Sequence, residues 1–142
     1  MENSTVGKGT IIRKYCNIYN STIGNNCKIA SYVEIGGATI GDNCKIEAYT
    51  FIPPGVTIGN NVFIGPHVTF TNDKWPRANT NEWTVCKTVI EDGVSIGANA
   101  TILSGITIRE NAMIGAGSIV TKSVLGGVLV YGDGAKERGT VH

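Results

Sequence analysis

The chain has 142 residues, with 12 Lys and Arg against 11 Asp and Glu, so its formal net charge is only +1. This length favours one domain over residues 1–142, and the low charge excludes strong attraction to nucleic acid or to an acidic membrane surface. No apolar run is long enough to span a bilayer, and Met1–Gly9 lacks the basic-then-apolar pattern of a secretion signal.

The apolar residues are mostly β-branched. The chain contains 18 Ile and 13 Val but only 3 Leu, together with 19 Gly. Helices favour Leu and Ala and disfavour Gly, whereas Ile and Val suit a pleated surface. The composition therefore predicts an all-β fold of many short strands separated by turns.

Isoleucine or valine recurs every six residues from the start of the chain. The positions are Val6, Ile12, Ile18, Ile23, Ile29, Ile35, Ile40, Ile46, Ile52, Ile58 and Ile64, with Phe70 ending the run. After a gap, the spacing resumes at Ile90, Ile96, Ile102, Ile108, Ile114 and Val120. Two steps, Ile18 to Ile23 and Ile35 to Ile40, are five residues long. Such a period indicates a repeat architecture.

The residue four places after each Ile or Val is never charged or aromatic, which predicts that it also faces inward. Thr22 and Thr39 occupy this position within the two five-residue steps. A six-residue unit fits one short strand and one turn, and three units make a triangular coil of about 18 residues that stacks on its neighbours. We expect about six coils, an inserted loop at about 71–89, and a short C-terminal tail at about 126–142.

The repeat pattern [Ile/Val]-Gly-x-x-[small]-x resembles that of the hexapeptide-repeat family over roughly residues 6–125. This resemblance implies a left-handed parallel β-helix, which is an exception to the usual right-handed crossover. It also implies a homotrimer with active sites between the subunits.

The four cysteines can be interpreted as buried residues or as metal or disulfide ligands. Cys16, Cys27 and Cys44 all fall on the small inward position, which favours burial, whereas Cys86 lies in or near the inserted loop and is unassigned. Only His67 and His142 are histidines, too few for a three-histidine zinc site, so we expect no metal. Reduced thiols are simplest to reconcile with the cytoplasm.

Tyr15, Tyr32 and Tyr49 occupy the same outward offset in successive coils. Stacked aromatic residues on an exposed face can mark a subunit interface, or they can form a ladder that stabilises the sheet. The repeat alone leaves both interpretations open, although trimer formation in the family favours the interface.

The inserted loop contains both tryptophans, Trp75 and Trp83, and many polar residues. A β-helix core does not require such a loop, and long loops on rigid scaffolds often carry function. A passive clasp between subunits is the alternative.

The stretch from Ile64 to Ala78, which includes Phe70-Thr-Asn-Asp-Lys-Trp-Pro-Arg-Ala78, resembles N-acetyltransferases that act on UDP- or dTDP-linked 3-amino sugars for surface polysaccharides such as lipopolysaccharide O-antigen. His67 stands where these enzymes usually have Asn. The runs 95–102 and 112–122 are also similar to that family.

The resemblance implies acetyl-CoA as the acyl donor and assigns roles to several residues. Asn72 and Asp73 match the residues nearest the reacting sugar, with His67 as a third catalytic candidate. Substrate binding is assigned to Arg77, Trp75 and Glu47, although Arg77 could instead order the loop and Trp75 could instead pack in the core. The CoA-binding candidates are Ala98, Ala116, Lys122, Lys136 and Arg138.

A sugar amine with a pKa near that of an α-amino group, about 7.7–8.0, is partly neutral at pH 7, whereas a sugar hydroxyl needs a general base such as His. The loop lacks the His-Pro pair typical of the related O-acetyltransferases, which favours N-acetylation. His67 is open to three interpretations: a base, a substrate-positioning group or a surface turn residue. The competing functions are an O-acetyltransferase with His67 as its base and a non-catalytic β-helix used as an assembly module.

Overall fold

The computed structural model describes residues 1–81 and 84–141, which form twenty short strands. The strands of the first half are β1 (Thr5–Val6), β2 (Ile11–Ile12), β3 (Asn17–Tyr19), β4 (Thr22–Ile23), β5 (Lys28–Ile29), β6 (Glu34–Gly36), β7 (Thr39–Ile40), β8 (Lys45–Ile46), β9 (Phe51–Ile52) and β10 (Val56–Ile58). Those of the second half are β11 (Phe63–Ile64), β12 (Thr69–Phe70), β13 (Thr88–Ile90), β14 (Ser95–Ile96), β15 (Thr101–Ile102), β16 (Thr107–Ile108), β17 (Met113–Ile114), β18 (Ile119–Val120), β19 (Val128–Tyr131) and β20 (Lys136–Thr140). Within the described ranges, no helix is long and apolar enough to cross a membrane.

From β1 to β18, each strand pairs in parallel with the strand three places along the chain, which produces three sheets. The first sheet has the order β1-β4-β7-β10-β13-β16, the second β2-β5-β8-β11-β14-β17-β19-β20, and the third β3-β6-β9-β12-β15-β18. The chain therefore winds as a parallel β-helix of about seven turns, which is consistent with the expected left-handed form, and the predicted all-β fold class is confirmed.

The predicted C-terminal tail extends the solenoid and ends in a hairpin. Val124 forms a bridge with Ile108, and β19 pairs in parallel with β17, so a seventh coil begins after the six complete ones. β20 then turns back antiparallel on β19. Most of the segment from residue 126 onward is therefore paired, and β20 covers the edge of β19 that would otherwise be open.

The six-residue register forms the core. Ile23 lies opposite Ile40, Ile40 opposite Ile58, and Ile58 opposite Ile90 in the first sheet, and all four side chains are buried. Full burial of one such side chain is worth about 1.5–3 kcal/mol. Because a single coil has no neighbour to cover this apolar surface, stability depends on stacking.

The five-residue steps change which small residue faces inward. Ser21 and Ala38 are buried, whereas the predicted Thr22 and Thr39 are exposed on strands of the first sheet. A corner shortened by one residue moves the inward position one place towards the N-terminus, so the prediction for Thr22 and Thr39 was wrong.

The insertion joins the third sheet to the first. β12 ends at Phe70 and β13 begins at Thr88, so the connecting segment is 71–87 rather than the predicted 71–89. Thr88 is buried, and its backbone N–H donates to the Gly55 carbonyl at 2.9 Å. Thr88 and Val89 therefore belong to β13 and not to the inserted loop.

The inward cysteines pack as predicted. Cys27 and Cys44 are buried, Cys16 is half-buried, and all four cysteines are free thiols. The Cys27 thiol donates to the Gly41 carbonyl at 3.2 Å, and the Cys44 thiol donates to the Gly59 carbonyl at 3.1 Å. These bonds satisfy the polar edge of each thiol inside an apolar core.

Candidate active site

The corner between the second and third sheets carries a continuous stack of rings. The centroids of Tyr15 and Tyr32 are 5.3 Å apart, those of Tyr32 and Tyr49 are 5.1 Å apart, and those of Tyr49 and His67 are 4.8 Å apart. All four residues have positive φ, between 60° and 69°. The repeated turn conformation places one ring above another at the spacing of the coils, so the tyrosines form an aromatic ladder that ends on His67.

His67 is exposed at this corner, and its ring lies nearly parallel to that of Tyr49, at an interplanar angle of 10°. Its backbone N–H donates to the Ala48 carbonyl at 3.0 Å. Glu47 precedes Ala48 in the same turn and forms an ion pair with Lys45, in which the Lys45 Nζ lies 3.4 Å from the Glu47 Oε1. His67 and Glu47 therefore lie at one corner in adjacent coils.

The alanines predicted to bind CoA continue the same corner. The Asn99 N–H donates to the Pro66 carbonyl at 2.9 Å, and the Gly117 N–H donates to the Ala98 carbonyl at 2.8 Å. Ala98 and Ala116 thus follow Pro66 in the next two coils. In the next two coils, Asn99 and Gly117 occupy the turn position that is equivalent to His67. Neither has an aromatic ring, so the aromatic stack ends at His67.

Asn72 fixes the base of the inserted loop. Its side-chain amide donates to the Pro54 carbonyl at 3.0 Å, and its own carbonyl accepts from the Cys86 N–H at 3.5 Å. One residue therefore ties the start of the loop both to the preceding coil and to the end of the loop. The structure gives Asn72 an anchoring role besides the predicted catalytic one.

Asp73 and Trp75 lie over a cleft at the corner between the third and first sheets. The Asp73 carboxylate accepts from the Trp75 N–H at 3.1 Å, a local bond that orders the turn. The cleft has a volume of about 330 Å³ and is lined by Thr71, Asp73, Lys74, Trp75, Leu103, Ser104, Gly105, Ile106 and Thr121. Trp75 is 81% exposed, so it does not pack in the core.

Arg77 and Trp83 are the other loop residues that the sequence singled out. Arg77 is exposed, and its guanidinium donates to the neighbouring Pro76 carbonyl at 3.1 Å. Arg77 does not line the cleft of Asp73. Trp83, the other tryptophan singled out by the sequence, lies outside the described residues.

His67 and Asp73 occupy different corners of the triangle. β12 (Thr69–Phe70) and Thr71 run between them, and His67 is absent from the lining of the Asp73 cleft. The sequence placed His67 beside the loop because they are near in the chain. The structure puts them at opposite ends of one side of the coil.

The predicted CoA-binding cations gather at the C-terminal end. Lys122 and Lys136 line a common cleft of about 330 Å³, with Leu125 and Glu137 among the other lining residues. Arg138 lies over the ring of Tyr131, with its guanidinium carbon 5.2 Å from the ring centroid. The structure therefore brings Lys122 and Lys136 together, and Arg138 lies two residues beyond Lys136 on β20.

Sequence reasoning missed a cationic cleft on the outer face of the second sheet. It has a volume of about 330 Å³ and is lined by Ile11, Arg13, Lys28, Ile29, Ala30, Lys45, Ile46 and Glu47. Lys28 and Lys45 each stand one place before an inward isoleucine, and this repeated offset is the signal that could have revealed the cleft. Among residues 1–81 and 84–141, no group of three or more His, Cys, Asp or Glu is placed to hold a metal ion.

Two family profiles match the chain. The profile described as "Bacterial transferase hexapeptide (six repeats)" matches residues 3–37 and 37–72. The profile described as "Hexapeptide repeat of succinyl-transferase" matches residues 87–122. The gap between the two matches coincides with the inserted loop.

Characterised relatives include both N- and O-acetyltransferases. Over 55 residues, the chain is 46% identical to a dTDP-3-amino-3,6-dideoxy-alpha-D-galactopyranose 3-N-acetyltransferase from Aneurinibacillus thermoaerophilus, a match that covers 39% of this chain and 29% of the relative. Over 82 residues, it is 42% identical to a galactoside O-acetyltransferase from Escherichia coli, covering 54% of this chain and 40% of the relative. The chain spans less than half the length of these curated relatives.

Among solved structures, the chain is similar to a variant of AntD, an N-acyltransferase from Bacillus cereus, in complex with dTDP-4-amino-4,6-dideoxyglucose and coenzyme A. The TM-score is 0.88 at 25% identity, and the match covers 99% of this chain and 84% of AntD. Together with the repeat profiles over most of the chain, this likeness shows that the chain belongs to the family of hexapeptide-repeat transferases.

Proposed function

We propose that the protein is an acetyl-CoA-dependent N-acetyltransferase that modifies the 3-amino group of a UDP- or dTDP-linked amino sugar. The observation that carries the proposal is the corner at which exposed His67 is followed by Ala98 and Ala116. Similarity to a dTDP-amino-sugar N-acetyltransferase and to AntD, solved with a dTDP-amino sugar and coenzyme A, supports the substrate class. Its place is the cytoplasm, and its product serves surface polysaccharides such as lipopolysaccharide O-antigen.

In this reaction, the neutral amine nitrogen attacks the carbonyl carbon of the acetyl thioester. The tetrahedral intermediate then collapses, the carbon–sulfur bond breaks, and CoA leaves as a thiol after the proton lost by nitrogen reaches sulfur. A backbone N–H can stabilise the developing oxyanion, and the protein contributes chiefly by positioning both substrates. His67 at one corner and the Asp73 carboxylate at the other are the proposed acceptors of the amine proton.

The active form is a homotrimer whose sites lie between subunits. Within one chain, His67 and Asp73 are at different corners, and the proposed trimer would bring them to one substrate from two copies. On this side of the coil, Phe51 of β9, Ile119 of β18 and Leu103, which follows β15, are apolar side chains that are 37–38% accessible. A neighbouring copy packed on this side would cover them and bring its own loop to the His67 corner.

The test is release of CoA thiol from acetyl-CoA in the presence of dTDP- or UDP-linked 3-amino sugars, with the acetamido product identified by mass spectrometry. The matching 3-hydroxy sugar nucleotides are the controls. Thiol release that depends on the amine supports the proposal. Absence of CoA binding at millimolar concentration would contradict every acetyltransferase function and leave the β-helix as an assembly module.

An O-acetyltransferase is the second candidate because His67 is exposed and the galactoside O-acetyltransferases match a longer stretch of the chain. A hydroxyl acceptor requires a general base, and His67 would supply it. Acetylation of galactosides or of the 3-hydroxy sugar nucleotides, at rates exceeding those with the amines, would favour this second function.

A further inference from the structure

The outer face of the second sheet carries an excess of positive charge in its first three coils. Arg13, Lys28 and Lys45 line one cleft of about 330 Å³, and Glu47 is the only carboxylate in its lining. Lys45 pairs with Glu47 at 3.4 Å. Within the described part of the chain, the side chains of Arg13 and Lys28 make no hydrogen bond or ion pair with another residue.

The strand register places two of these cations side by side. Lys28 and Lys45 are direct partners on β5 and β8. Like charges opposite each other on one face of a sheet destabilise the pairing. An anion held between them would remove this repulsion, and Arg13 in the preceding coil adds a guanidinium that can bind two phosphate oxygens at once.

The cleft lies next to the His67 corner. Glu47, at its edge, begins the turn that carries Tyr49, and the Tyr49 ring stacks on His67 at 4.8 Å. Ala98 and Ala116 lie on the opposite side of His67, in the two coils that follow. A ligand anchored by its phosphates in the cleft could therefore extend along the corner to His67 from the side opposite the alanines.

We propose that this cationic cleft binds the diphosphate group of the nucleotide-linked sugar acceptor, an inference that rests on the proposed function. The other basic cleft, with Lys122 and Lys136, is at the C-terminal end of the helix and is available to the phosphates of CoA. The acceptor and the donor thus reach His67 from opposite ends of the solenoid, and the cleft selects acceptors that carry a diphosphate.

The decisive variant is Lys28→Ala, because Lys28 has no partner in the described chain and its loss leaves no carboxylate unpaired. Lys8→Ala, an exposed lysine at a different corner, is the matched control for loss of one positive charge. Calorimetric titration with dTDP and with UDP measures binding directly, with inorganic phosphate as a comparison ligand. Thermal unfolding of both variants verifies the fold.

We expect Lys28→Ala to weaken nucleoside diphosphate binding and to raise the KM for the nucleotide sugar by about tenfold, the loss of one charge-assisted contact. The kcat and the KM for acetyl-CoA should stay within about twofold of wild type, as should every parameter of Lys8→Ala. Lys28→Glu should show a larger loss of binding, because it reverses the charge.

The outcomes separate the cleft from the proposed function. Acetylation of amino sugars by a Lys28→Ala variant that also binds dTDP and UDP as tightly as wild type would overturn the cleft assignment alone. If Lys28→Ala raised the KM for acetyl-CoA instead, the cleft would hold CoA and the inference would be wrong. Binding of nucleoside diphosphates that is lost in Lys28→Ala, without acetylation of any amino sugar, would support the phosphate site and contradict the proposed function.

Discussion

At the scale of the residue, burial and turn geometry decide what each side chain can do. His67 shares its position in the turn with three tyrosines, and its ring closes their stack. Cys44 occupies an inward position, where burial raises the pKa of its thiol to about 11. One residue is thereby presented to solvent and the other is kept neutral within the core.

The Cys44 thiol should be protected from alkylation in the folded protein. Because the thiolate is the reactive form, a pKa near 11 reduces the reactive fraction at pH 8 by roughly a hundredfold relative to the value of 9.0 for an unperturbed thiol. Timed iodoacetamide labelling followed by peptide mass spectrometry, in native buffer and in guanidinium, measures this ratio. Equal rates in the two conditions would contradict the burial of Cys44.

His67→Ala should lower kcat at least tenfold if His67 accepts the amine proton, because general bases typically contribute 10²–10⁴-fold. The pH profile of kcat should also change. His67→Asn, which restores the residue usual in similar enzymes, separates loss of the base from loss of packing against Tyr49. A decrease below tenfold with an unchanged pH profile would remove His67 from the mechanism.

At the scale of the element, Asn72 anchors the base of the inserted loop. Its base depends on the Asn72 amide bonded to the Pro54 carbonyl and on the bond from the Cys86 N–H back to Asn72. The Asp73–Trp75 turn is local and does not tie the loop to the coils.

Asn72→Ala should loosen the loop without disrupting the solenoid. Losing one side-chain hydrogen bond costs about 0.5–1.5 kcal/mol, and trypsin should cleave after Lys74 or Lys87 faster than in the wild type. Asn79→Ala, an exposed residue of the same loop, is the control. Limited proteolysis monitored by mass spectrometry gives both rates, and an unchanged cleavage rate in Asn72→Ala would refute the anchoring role.

At the scale of the whole molecule, the solenoid separates the residues proposed to act together. His67 belongs to the corner between the second and third sheets, whereas Asp73 belongs to the corner between the third and first. A rotationally symmetric trimer allows the two corners of neighbouring chains to meet. In the proposed homotrimer, assembly is then needed to complete each site.

Mixing two inactive variants tests this arrangement. If each site takes His67 from one chain and Asp73 from the next, trimers reassembled from equal amounts of His67→Ala and Asp73→Ala should regain about a quarter of wild-type activity, because every mixed trimer contains one intact site. A mixture in which each variant is reassembled separately is the control. No recovery in verified mixed trimers would show that the two residues do not form a shared site.

The sequence by itself determined the β-helix, because a core of stacked coils requires an apolar residue in each repeat, and the chain supplies one from Val6 to Val120 on both sides of the insertion. It also located the insertion, to within two residues at its C-terminal end. The sequence did not predict that Ser21 and Ala38 face inward, because a corner shortened by one residue changes which side chain faces the core.

Only the tertiary structure decided which distant residues are neighbours. In the structure, His67 stacks on Tyr49, Lys28 and Lys45 are strand partners, and Asp73 lies at a different corner from His67. The physical reason is that a coil brings together residues about 18 positions apart and separates residues five or six positions apart by the length of one side. The repeat in the sequence therefore predicts the scaffold, whereas nearness along the chain does not predict which residues share a site.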